Sequence, residues 1–138
     1  MFMSLELFRV FSDYVGVPYV DKGRTPIGWD CYGLVYYLSR RYLGRMVPSY
    51  SHTYDSGDQT GQVRHAIATG LGEWHRVALD AIEPGDLLVI NLEGLPIHCG
   101  LVVTPDTMLH CMRGRETVLE RFLAPAWLRR IEGAYRWM

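Results

Sequence analysis

The feature that most limits the fold is a change of hydrophobic period between the two halves of the chain. In the first half, apolar residues recur at helical spacing; in the second they alternate at a period of two, and β-branched residues become common. Leu5, Phe8, Val10 and Phe11 give an apolar face behind Ser4, which can cap a helix over about 4–15 before Gly16, Val17 and Pro18 end it. Residues 19–29, with Asp21, Lys22, Gly23, Pro26 and Gly28, spell an irregular loop. Asp30 is a good N-cap, and Leu34, Val35, Leu38 and Tyr42 repeat until Gly44, which predicts a helix over 31–43 with Cys31 in its first turn. The stretch 47–61 reads as a long surface loop, followed by a short helix over about 62–70. Strands are predicted over 86–91, 97–103, 108–112 and 134–137, with Pro84-Gly85-Asp86 turning into the first and residues 104–107 forming a hairpin tip. Helices first and antiparallel strands after make an α+β domain.

A chain of 138 residues, 49% apolar and 21% charged, fits one domain over 1–138 with a core of its own. Fourteen Lys plus Arg against 15 Asp plus Glu leave a net charge of -1, so neither nucleic acid nor an anionic membrane is an expected partner. The first ten residues carry Glu6 and Arg9 and lack the basic start and unbroken apolar run of a secretory signal. No apolar run approaches the roughly 20 residues of a membrane span. The expectation is a soluble protein made in the cytoplasm, or exported by a route the sequence does not display.

Cys31, Cys99 and Cys111 are an odd number without CxxC spacing, which argues against a disulfide framework and leaves at least one free thiol. A thiol attacks only as thiolate, and the first turn of a helix favours that form because unpaired N–H groups and the positive end of the dipole face it. Cys31 has that placement. Taken alone, a small residue at a helix start is more often structural than catalytic. His98 and His110, twelve residues apart on the two strands of the proposed hairpin, supply what a thiolate needs: one imidazole as base and a second polar group to orient it.

Strand parity turns this into a test. The two rings share a face only if His110 pairs opposite an even-numbered residue such as Gly100 or Val102, which demands an odd hairpin loop or a bulge. The odd loop is the expectation. The same alternation sends Cys99 and Cys111 to the opposite face as small apolar bystanders. A zinc site from Cys31, His98 and His110 has suitable ligand types but no common spacing. His52, His65 and His75 are expected at the surface.

Asp30-Cys31-Tyr32-Gly33-Leu34-Val35 opening a helix, Pro84-Gly85-Asp86-Leu87 opening a strand, His98-Cys99-Gly100-Leu101-Val102 on the next and Leu109-His110 on the one after resemble the NlpC-type cell-wall cysteine peptidases. The likeness runs from about Tyr19 to His110, and Gly133-Ala134-Tyr135-Arg136 looks like the subgroup found among bacteriophage tail proteins. It implies a minimal papain-like fold, with Cys31 as nucleophile, His98 as base and His110 as the orienting third residue. It further implies Tyr19 near the thiol, Asp30 and Tyr32 at the substrate site, bacterial peptidoglycan stem peptides as substrate, usually cut after a γ-linked D-glutamate, and neither metal nor organic cofactor. Most members have serine after the nucleophile; Tyr32 resembles the aromatic of the phage-tail relatives, and its ring is expected to stack on substrate or narrow the cleft. The competing expectation is a tail-assembly module that keeps the fold while its hydrolytic activity is weak or lost.

Overall fold

The protein is described here by a computed structural model covering residues 4–138, with the side chain of Ser4 outside the description. The expected cap at Ser4 therefore lies outside the described side chains. Helix α1 spans Ser4–Ser12; residues 13–16 continue as hydrogen-bonded turns rather than helix, ending at Gly16 with φ +98°. Within the predicted loop, β1 (Arg24–Thr25) and β2 (Gly28–Trp29) form a small antiparallel hairpin. Helix α2 (Cys31–Tyr42) follows, closed by the Leu43 N–H on the Ser39 carbonyl at 3.1 Å and by Gly44 in the left-handed region. Helix α3 covers Thr60–Gly70.

Six strands then build one antiparallel sheet: β3 (His75–Val77), β4 (Leu87–Leu92), β5 (Leu95–Thr104), β6 (Thr107–Cys111), β7 (Thr117–Arg121) and β8 (Ile131–Arg136), in the order β3-β8-β4-β5-β6-β7. A short helix α4 (Pro125–Leu128) joins β7 to β8. The α+β architecture is as expected, while β3, β7, α4 and the β1–β2 hairpin lie outside the predicted elements.

Alternation along the strands sorts two cores. On one face Leu87, Val89, Cys99, Leu101, Val103, Leu109 and Cys111 pack against Leu7, Phe11, Leu34, Val35 and Leu38 of α1 and α2. On the other, Leu88, Ile90, Val102, Met108 and Ala134 pack with Phe122 and Trp127. Trp29, wholly buried, ties the loop before α2 to the sheet by donating its indole N–H to Thr117 Oγ1 at 2.8 Å.

The β5–β6 hairpin decides where the histidines point. Its tip has two residues, Pro105 and Asp106, and the Asp106 carboxylate accepts from the hydroxyls of Thr104 and Thr107 at 2.9 Å each. The expected odd loop is therefore replaced by an even one. Parity is kept by the bulge: pairing runs Leu101 with Leu109 and Val102 with Met108, then jumps to Thr104 with Thr107, leaving Val103 as the extra residue. Continued inward, that register sets Gly100 opposite His110, and both histidines face the same way.

Candidate active site

Asp30 builds the start of α2. Its carboxylate accepts from the Gly33 N–H at 2.8 Å, the N-cap bond expected of it, and also from Arg24 Nη1 at 2.8 Å, the Lys22 N–H at 3.3 Å and the Tyr54 hydroxyl. Arg24 in turn donates to the Ser49 carbonyl and the Tyr54 hydroxyl, so one buried ion pair ties the loop before α2 to the 47–61 segment. Burial and the neighbouring Cys31 push the Asp30 pKa up, against the pull of Arg24. Asp30 lines the cleft, but its oxygens are taken by protein donors, so its direct work is to shape the site.

Cys31 is the first residue of α2 and is partly exposed. Its thiol is pushed well below the ordinary cysteine range, first by a hydrogen bond from the Cys99 thiol and then by hydrogen bonding and positive charge at His98, while burial opposes both. The Cys99 thiol is pushed well up by the same contact and by burial, so it stays protonated and is the donor. Cys99 is thus no bystander: the face it shares with the helical core is the face on which the Cys31 sulfur arrives. Cys111 behaves as expected, buried, with its sulfur 3.9 Å from the Val17 carbonyl.

His98 and His110 are both buried, and His98 Nε2 lies 2.9 Å from His110 Nδ1. With Nε2 engaged there, Nδ1 is the ring nitrogen of His98 left for Cys31. Burial, followed by the charge of His98, lowers the His110 pKa to about 4, so this ring is neutral at pH 7. The line continues past the predicted residues: His110 Nε2 is 3.0 Å from Glu120 Oε1, and Glu120 Oε2 accepts the Trp127 indole N–H at 2.6 Å. Glu120 escaped the sequence reading because β7 did, although Thr117-Val118-Leu119 carries a faint strand signal.

The cleft over Cys31 is walled by Tyr19, Tyr32, Tyr50, Tyr54, Ile67 and Trp74, so the 47–61 segment and α3 close one side of it. The Tyr32 ring lies 5.3 Å from that of Tyr50, and its hydroxyl donates to the Pro48 carbonyl at 2.7 Å. Tyr32 therefore narrows the cleft by fastening its loop wall. Burial and the negative groups Cys31, Asp30 and Asp21 raise the Tyr19 pKa, keeping a protonated hydroxyl beside the thiol. His52, His65 and His75 are exposed, as expected. Among the described residues, no group of three or more His, Cys, Asp and Glu side chains could hold a metal ion, and no helix is long and apolar enough to cross a membrane.

The chain is 29% identical over 127 residues to a gamma-DL-glutamyl hydrolase of Bacillus subtilis and 31% identical over 108 residues to a gamma-D-glutamyl-L-lysine dipeptidyl-peptidase of the same organism, covering 89% and 76% of this chain. It spans 27% and 31% of the length of those relatives. Similar folds occur in an NlpC/P60 family protein from Bacillus cereus (TM-score 0.69, 21% identity, 98% of this chain and 40% of that one). The NlpC/p60 domain of the peptidoglycan hydrolase SagA is also similar (TM-score 0.65, 18% identity, 97% of this chain and 98% of that one). The NlpC/P60 family pattern itself matches residues 16–136, from the turn after α1 to the end of β8, and the chain accordingly belongs to the NlpC/P60 family.

Proposed function

We propose that the protein is a cysteine peptidase that hydrolyses amide bonds in bacterial peptidoglycan stem peptides, with Cys31 as nucleophile, His98 as base and His110 as the residue that orients His98. The observation that carries this reading is the single line of polar contacts from a thiol held well below its ordinary pKa, through His98, to His110 2.9 Å beyond it. The relatives named for γ-glutamyl cleavage support a bond after a γ-linked D-glutamate.

In this mechanism the Cys31 thiolate adds to the amide carbon, and the oxyanion accepts from the Cys31 backbone N–H at the helix start. Protonated His98 gives its proton to the leaving amine as the C–N bond breaks, which leaves a thioester on Cys31. His98, now neutral, takes a proton from water, and the hydroxide equivalent releases the acid and restores the thiolate. Every proton that leaves one partner arrives on another, and no cofactor enters.

Incubating stem-peptide fragments with the protein and weighing the products tests the reading. Cleavage at a γ-D-glutamyl bond by the wild type and none by Cys31→Ala is expected; an unchanged rate in Cys31→Ala would overturn it. From the resemblance of Tyr32 and of the 133–136 segment we further propose residence in a phage tail, and mass spectrometry of purified virions should find the chain there.

A further inference from the structure

A chain of two imidazoles has an ambiguity that the fold must resolve. A neutral histidine carries one N–H and one lone pair, and the useful arrangement requires the His110 lone pair to face His98. If His110 instead presented its N–H to His98 Nε2, neutral His98 would have to carry its proton on Nδ1. It would then offer the Cys31 sulfur a donor and could not take a proton from a thiol.

Three contacts remove that ambiguity. His110 is neutral, so it has one proton to place. Its Nε2 faces Glu120 Oε1 at 3.0 Å, and a carboxylate only accepts, so the proton belongs on Nε2. Nδ1 is then a lone pair that accepts the His98 Nε2–H at 2.9 Å, which leaves His98 Nδ1 turned toward Cys31 to take or return the proton it exchanges with the sulfur. Glu120 is itself oriented: Trp127 donates to its second oxygen at 2.6 Å, and the Trp127 ring stands edge-on to His110 with centroids 4.9 Å apart. The groups that face His110 are thus His98 from β5, Glu120 from β7 and the indole of Trp127 from α4. The register explains the convergence, since Met108 pairs with Glu120 and His110 with Val118, placing Glu120 two residues along on the same face as His110.

We propose that Glu120 is a positioning residue of the active site, anchored by Trp127, which fixes the tautomer of His110 and through it the base form of His98. The inference rests on the Cys31, His98 and His110 reading above. Glu120 lies behind His110 and does not line the cleft over Cys31, so its loss should affect turnover and leave binding unchanged.

Nitrogen-detected NMR of the full chain reads the tautomer directly. In the wild type His110 should be the Nε2–H form; an Nδ1–H form would overturn the proposal with no variant required. Glu120→Leu should show mixed tautomers and a kcat lowered about tenfold to hundredfold, in the range that supporting hydrogen bonds to functional histidines command, with KM unchanged. Trp127→Phe, which keeps the carboxylate and frees it to move, should give a smaller fall in kcat. If Glu120→Leu retains the wild-type kcat and tautomer while Cys31→Ala is inactive, the positioning role falls and the triad stands. Turnover by Cys31→Ala would instead remove the triad, and this inference with it.

Discussion

Cys31 draws its acidity from two unlike neighbours, a neutral thiol and an imidazole. Cys99→Ala should therefore shift the midpoint of the pH profile for Cys31 alkylation upward, because the S–H donor that lowers the Cys31 pKa is gone; an unmoved midpoint would mean that His98 and the Cys99 backbone N–H set it without the thiol. His110 gives a second test. Its folded pKa, about 4, lies below the ordinary value of 6.5, so the unfolded chain binds the proton more readily. Its contribution is complete above pH 6.5 and is lost as the pH falls toward 4, a loss that His110→Asn should reduce when unfolding is followed across that window. The placement of Cys31 at a helix start and of His98 and His110 on adjacent strands was legible in the sequence from residue type and spacing. The part played by Cys99 was not, since alternation says which face a side chain takes and not what arrives on that face from a helix.

Two glycines show how closely the elements are fitted around the site. A Cβ at Gly33 would lie 2.0 Å from the Gly23 carbonyl oxygen, so the first turn of α2 and the loop before it meet backbone to backbone. Gly33→Ala should cost at least about 1–3 kcal/mol, as overpacking does, measured by denaturant unfolding. At Gly100 a Cβ would stand 3.4 Å from His110 Cβ and 3.0 Å from the flexible Met108 sulfur. Gly100→Ala should therefore fold, with the Met108 side chain giving way, and keep a kcat close to that of the wild type; a large fall would show that His110 is displaced. At this scale the sequence showed α2, α3 and the β4–β6 strands within a residue or two. It hid the hairpin's device: Pro105-Asp106 sets an even tip, and only the register reveals the bulge at Val103 that restores parity. Strand β3 is three residues long and β7 ends in Glu120 and Arg121, so neither offers a run of alternation long enough to read.

Across the whole molecule, Trp29 joins the loop before Cys31 to the edge strand β7 through Thr117, to the turn after α1 through the Tyr14 ring at 5.8 Å and to α2 through the Tyr37 ring at 6.0 Å. Trp29→Ala should cost about 3–5 kcal/mol, and calorimetry or denaturant unfolding would measure it. The sheet carries both imidazoles and the helix carries the sulfur, so the proposed activity depends on their packing and not on either alone. The most direct test of that meeting is the rate at which iodoacetamide labels each cysteine at neutral pH, mapped by mass spectrometry in the wild type and in His98→Ala. Cys31 should react well ahead of Cys99 and Cys111, and His98→Ala should slow it. Equal labelling of all three, or a Cys31 rate indifferent to His98, would contradict the account.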